Sequence, residues 1–168
     1  DKNRNLIAVS IVLGLVPIVI MVPQIAAAGD VPPIHDITTD TANPPPFVAI
    51  KALRADAPNG FEYGASEAWP AEKLGQATHE AYPGLQSVIS ELSVGEAVDR
   101  AEATLVEMGL EIVEVDKPAG IVEATATTVW FGFKDDMVVR IVEEGEGSRI
   151  ELRSMSRVGQ SDVGANAA

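Results

Sequence analysis

Residues 93–155 read SVGEAVDRAEATLVEMGLEIVEVDKPAGIVEATATTVWFGFKDDMVVRIVEEGEGSRIELRSM, and a change of hydrophobic period inside this stretch sets the fold class. Ser93-Val94-Gly95-Glu96 fits a capping box, in which the Ser93 hydroxyl accepts a first-turn amide proton and Glu96 accepts from the Ser93 amide. Val94, Ala97, Val98, Ala101, Leu105 and Met108 follow at helical spacing and make one apolar stripe. Glu96, Asp99, Arg100, Glu102 and Glu107 take the wet side. Gly109 supplies the left-handed stop. Beyond it, stretches 110–115, 121–133, 137–143 and 149–155 are β-branched or alternating. The breaks at 117–120, 134–136 and 144–147 are short enough for hairpins. The expected fold is α+β, a four-stranded antiparallel meander with the Ser93 helix against one face. Asp162 is placed to cap a closing helix near Val163.

In the second of these stretches, Val122, Ala124, Ala126, Thr128 and Trp130 share one face, and Thr125, Thr127, Val129, Phe131 and Phe133 share the other. Neither face is polar toward its end. A sheet wet on one side alternates cleanly, so the second face needs a cover: the chain's own upstream segment, a partner or a ligand.

Upstream, residues 29–84 carry proline at 32, 33, 44, 45, 46, 58, 70 and 83, which forbids long helices and central strands and favours extended backbone. Stretch 47–53 suggests an edge strand, and 69–76 a helix opening at Pro70. A pure linker would not hold Ile34, Phe47, Val48, Ile50, Phe61, Trp69 and Tyr82, which seek burial.

At the N-terminus, residues 6–28 read LIAVSIVLGLVPIVIMVPQIAAA, 23 positions without a charge; a bilayer core asks for about 20. Lys2 and Arg4 precede this run, and Asp30, Asp36 and Asp40 follow it. The positive-inside rule then gives a single-pass bacterial inner-membrane anchor through residues 6–28, with the C-terminal domain in the periplasm. Ala26-Ala27-Ala28 also resembles a signal-cleavage site, although the run exceeds the usual apolar region of such signals. Pro17 and Pro23 kink a helix under either reading. The expected organisation is an anchor or uncleaved signal at 1–28, a Pro-rich extended segment at 29–84 lying on the domain, and the α+β domain at 85–168.

Composition narrows function by exclusion. Twelve basic and 25 acidic residues in 168 give a net charge of −13, which argues against a nucleic-acid partner. Without cysteine there is no disulfide, thiol nucleophile, iron–sulfur cluster or Cys-ligated zinc. His35, Asp36, His79 and Glu80 lack metal-ligand spacing, and Gly145-Glu146-Gly147 joins strands rather than opening a phosphate-binding helix, so no cofactor is implied. Asp135-Asp136 and the acids at 143–146 follow no EF-hand pattern and suggest solvated turns.

Two segments stand out: Ile34-His35-Asp36-Ile37-Thr38-Thr39-Asp40-Thr41, followed by Pro44-Pro45-Pro46-Phe47, and Arg153-Ser154-Met155-Ser156-Arg157 continuing through Asp162 to Asn166. At both, from about Val31 to the end, the chain resembles domain of unknown function family 1499. The resemblance implies a membrane-associated or exported envelope protein and carries no established activity.

The two segments are chemically complementary. Asp36 or Asp40 paired with Arg153 or Arg157 would clamp the upstream segment onto the last strand, with Thr38, Thr39 and Asp40 serving turn backbone. A functional alternative is a polar pocket built from His35, Asp36, Thr38, Thr39, Asp40, Arg153, Ser154, Ser156, Arg157, Asp162 and Asn166, beside an apolar cleft lined by Trp130, Phe131 or Phe133. The preferred function is a non-enzymatic envelope module that binds a partner protein or an amphiphilic, lipid-like ligand. The other is a periplasmic hydrolase using His35 and Asp36 with a serine of the segment from Arg153 to Ser161.

Overall fold

The computed structural model describes residues 2–28, 31–129, 131–161 and 164–167. The chain divides after Pro32 into two units. The first is helix α1, Lys2–Ala28. The single-pass anchor expected here is overturned, because among the described residues no helix is long and apolar enough to cross a membrane. The inner-membrane and periplasmic placement rested on that span and goes with it.

The second unit, Pro33–Ala168, is built on an antiparallel sheet. Its elements are β1 (Asp36–Thr38), α2 (Ile50–Leu53), β2 (Ala65–Ser66), β3 (Trp69–Pro70), α3 (Ala71–Ala81), β4 (Val88–Ser90), α4 (Val94–Glu107), β5 (Glu111–Asp116), β6 (Ile121–Thr127), β7 (Lys134–Glu144) and β8 (Gly147–Ser156), followed by a 3-10 turn at Ala165–Ala167. Strands run in the order β1-β8-β7-β6-β5, and β4 also pairs with β8; β2 and β3 form a separate ribbon. The long outer edge of β8 is thus shared end to end, with β4 against Ser148 to Ile150 and β1 against Arg153 to Met155.

The expected four-stranded meander is therefore corrected to a six-stranded sheet with further helices. Both added strands are three residues long and come from regions where prolines and short polar runs hide any alternation. Stretch 47–53 forms the short helix α2 and an irregular approach to it, because the carboxylate of Glu123 draws three successive amides around itself. Lys134-Asp135-Asp136 opens β7 instead of breaking the sheet, and the hairpin turn falls earlier, where Thr128 N donates to Phe133 O at 2.9 Å.

Helix α4 begins where its sequence says it should. Ser93 Oγ accepts from Glu96 N at 3.4 Å, and Ser93 N donates to Glu96 Oε2 at 3.0 Å. It ends with Gly109 at φ 84° and a bond from Leu110 N to Leu105 O at 3.0 Å. Its stripe buries Ala97, Val98 and Leu105 against Val122, Ala124, Val139 and Ile141. The opposite sheet face is covered by the Pro-rich segment, where Phe47 and Ile50 pack on Ile121, Val138 and Met155, with Phe61 beside them. A third cluster gathers Ile34, Ile37 and Leu74.

Candidate functional site

Strand alternation puts two kinds of chemistry on the two faces of the sheet. The face beneath the Pro-rich segment receives Glu123 and Thr125 of β6, Asp136 and Arg140 of β7, and Glu151 and Arg153 of β8. Glu123, Asp136 and Glu151 are fully buried there. A charge in such a place must be paired or hydrogen-bonded, and each one is.

Arg153 Nε and Nη2 donate to Asp36 Oδ1 and Oδ2, each at 2.9 Å. Its guanidinium also donates to the carbonyls of Pro45 and Phe61 and lies 4.9 Å from the Phe47 ring. Asp136 sits between two arginines: Arg54 donates at 2.7 Å and Arg157 twice at 2.8 Å, while Thr125 Oγ1 adds a bond at 2.7 Å. Burial alone would push the Asp136 carboxyl up, but the bonds from Arg157, Thr125 and Arg54 outweigh it and hold the group below the usual carboxylate range. Glu151 takes Arg140 at 2.5 Å and also Arg149. Glu123 accepts from the amides of Val48, Ala49 and Ile50 at 2.5, 2.6 and 3.2 Å.

These positions correct several sequence expectations. Asp40 does not meet Arg153 or Arg157. It accepts from the amides of Ala42 and Asn43 and faces Arg140 at 3.5 Å. Arg157 serves Asp136, which is a buried hub and no solvated turn. Thr38 and Thr39 bond to the Leu152 backbone, closing the gap between β4 and β1 along β8. Arg54, Glu123, Asp136, Arg140 and Glu151 were missed as site residues. The signal for three of them was present, since Glu123, Arg140 and Glu151 fall at alternating positions among Val and Ile where only a paired charge is tolerated.

Among the described residues the contacts of His35, Asp36, Ser154 and Ser156 do not assemble a hydrolytic set. Both oxygens of Asp36 are taken by Arg153. Ser154 Oγ donates to Asn166 Oδ1 at 2.6 Å, and Asn166 Nδ2 donates to Ser156 Oγ at 3.0 Å and to the His35 carbonyl at 3.2 Å. The His35 Nδ1 atom is enclosed without a hydrogen-bond partner among the described residues, at the wall of a cavity of about 550 Å³ that Trp69, Glu62 and Gln160 also line. Asp162 and Trp130 lie outside the described residues. Phe131 and Phe133 stack at 5.5 Å on the exposed β6–β7 hairpin tip and line neither that cavity nor the cleft on the other face.

That cleft, about 330 Å³, lies between α4 and the part of the sheet that α4 leaves open. Met137 and Val139 of β7, Ile150 and Leu152 of β8 and Ile37 of β1 line it together with Ala97, Ala101 and Leu105 of α4 and Met108 just past its end; Leu85 and Ala167 complete the wall. The small side chains of Ala97 and Ala101 keep the helix from filling the space. Its polar lining is Thr38, Thr39, Ser154 and Asn166 at the strand side and Arg100 and Thr104 on the helix. Among the described residues no group of three or more potential metal-ligating side chains occurs.

Residues 36–168, from the aspartate held by Arg153 to the end of the chain, match the family described as "Protein of unknown function (DUF1499)". The chain belongs to the DUF1499 family. Among curated proteins and solved structures nothing matches. Within the DUF1499 match, both ends of the Asp36–Arg153 contact and every residue lining the apolar cleft are included.

Proposed function

We propose that this DUF1499 domain is a binding module whose ligand is an amphiphilic small molecule seated in the cleft between α4 and β8. The observation that carries this reading is an uncovered apolar floor. On the opposite face the chain spends its own Pro-rich segment on coverage, yet here Met137, Ile150 and Leu152 remain only partly buried beside an open volume. An alkyl chain laid there would gain about 0.8 kcal/mol for each methylene removed from water. The lining has the usual make-up of a small-molecule site, apolar walls with a few polar groups.

The test is binding of an apolar fluorescent probe, 1-anilinonaphthalene-8-sulfonate, to the full chain, followed by displacement with alkyl compounds of increasing length. Affinity is expected to rise with chain length and then level off as the cleft fills. Thr104→Trp, which places an indole on the helix wall at an exposed position, is expected to abolish binding while leaving the unfolding midpoint unchanged. Chain-length dependence that survives Thr104→Trp would place the ligand elsewhere and overturn the reading.

A further inference from the structure

We infer that the cleft selects an amphiphile with an anionic head, and that Arg100 is the residue that recognises that head. This rests on the cleft being the ligand site. Five of the six arginines in Pro33–Ala168 are committed to carboxylates: Arg54 and Arg157 to Asp136, Arg140 and Arg149 to Glu151, and Arg153 to Asp36. Arg100 makes no ion pair among the described residues, in a chain whose acids outnumber its bases 25 to 12.

The reason is local. One helical turn to either side, Arg100 has Glu96, Ala97, Ala103 and Thr104 as neighbours. Glu96 is the acidic one, and its carboxylate is held by the Ser93 amide and hydroxyl at 3.0 and 2.6 Å. The adjacent Asp99 is held by Lys117. The helix cap and the surface pair thus remove the carboxylates that would otherwise neutralise Arg100.

The other polar groups of the cleft are spent as well. Thr38 donates to Leu152 O at 2.9 Å, Thr39 Oγ1 accepts from Leu152 N at 2.9 Å, and Thr104 donates to Arg100 O at 2.8 Å. Ser154 and Asn166 bond to each other at 2.6 Å. Among the described residues the Arg100 guanidinium is the lining side chain left with donors to offer, and it has no acceptor there. Its planar fork matches an oxyanion that presents two oxygens, which carboxylate and phosphate both do. Arg100 is exposed on the helix wall, where its guanidinium is open to a head that projects from the cleft.

The experiment is calorimetric titration of the full chain with decanoate, decyl phosphate and decanol at 0.15 M salt, where the chain's net negative charge is largely screened. Decanoate or decyl phosphate is expected to bind about tenfold more tightly than decanol, and the tighter of the two identifies the head as carboxylate or phosphate. Arg100→Gln is expected to bring the three ligands to within about twofold of the decanol value with no change in unfolding midpoint; Arg100→Lys is expected to keep part of the preference. If wild type binds decanol as tightly as decanoate and decyl phosphate, or if Arg100→Gln keeps the preference, Arg100 does not recognise a head and the inference fails while the cleft reading stands. If none of the three binds, the cleft reading itself fails and takes the inference with it.

Discussion

Arg153 and Asp36 meet through two parallel hydrogen bonds of 2.9 Å although 117 positions separate them in sequence, and both side chains are 4% exposed. Removing either partner strands a buried charge, which costs about 3–5 kcal/mol. Asp36→Leu and Arg153→Met are each expected to lose about that much in urea unfolding. The double variant is expected to lose about as much as the worse single one, because neither charge is then left alone. Additive losses would show that the two side chains stabilise the fold independently.

Asp136 makes a prediction about acid. Its folded carboxyl is held below the ordinary value, so its contribution is complete at neutral pH. That contribution disappears as pH falls from the ordinary carboxylate range through the depressed folded value. Urea midpoints measured from pH 7 downward are expected to fall over that window. Asp136→Asn is expected to start lower at pH 7 and to decline less steeply, since the titrating group is gone while Arg54 and Arg157 remain charged.

Glu123 is held by three backbone amides and, among the described residues, by no cation. Glu123→Gln replaces one accepting oxygen by an NH₂ group that faces donors. The expected cost is about 1–3 kcal/mol, and hydrogen exchange is expected to quicken first at Val48, Ala49 and Ile50. Equal acceleration across β6 would place the loss in the sheet instead of in the segment that covers it.

Two glycines separate strain from collision. Gly120 has φ 67°, and a Cβ there would stand 2.1 Å from the Ile141 carbonyl oxygen; Gly109 has φ 84° with open space around it. Gly109→Ala is expected to cost about 1–2 kcal/mol for the left-handed backbone alone. Gly120→Ala adds a clash with β7 and is expected to cost clearly more in the same thermal unfolding assay.

Legibility in the sequence tracked locality. The start and stop of α4 were readable because Ser93, Glu96 and Gly109 act within one turn of their own positions. The partner of β8 was not, since β1 and β4 are three-residue strands whose pairing is fixed by β8 and by hydrogen bonds such as Thr39 to Leu152. The complementarity of His35–Thr41 and Arg153–Arg157 was visible, but which acid meets which arginine depended on strand faces: Asp36 lies opposite Met155 in register, and its side chain takes Arg153, whereas Asp40 falls past the end of β1 and turns to Arg140. The apolar cleft was assigned to the aromatic run at 130–133. Phe131 and Phe133 of that run sit exposed at the hairpin tip, so the cleft came from alanines on α4 that no motif marks.

The pairing of β1 with β8 also bears on how the protein is made. On a ribosome Asp36 emerges more than a hundred residues ahead of Arg153, and β1 and β4 both wait for β8 to provide their shared edge. A nascent chain ending before Gly147 holds Asp36, Glu123 and Asp136 with Arg54 and Arg140, but lacks Glu151, Arg153 and Arg157. Such long-range closure slows folding and prolongs exposure of unpaired strands, so a nonsense mutation at Ser148 removes the strand that unites the sheet and gives a product fit for proteolysis.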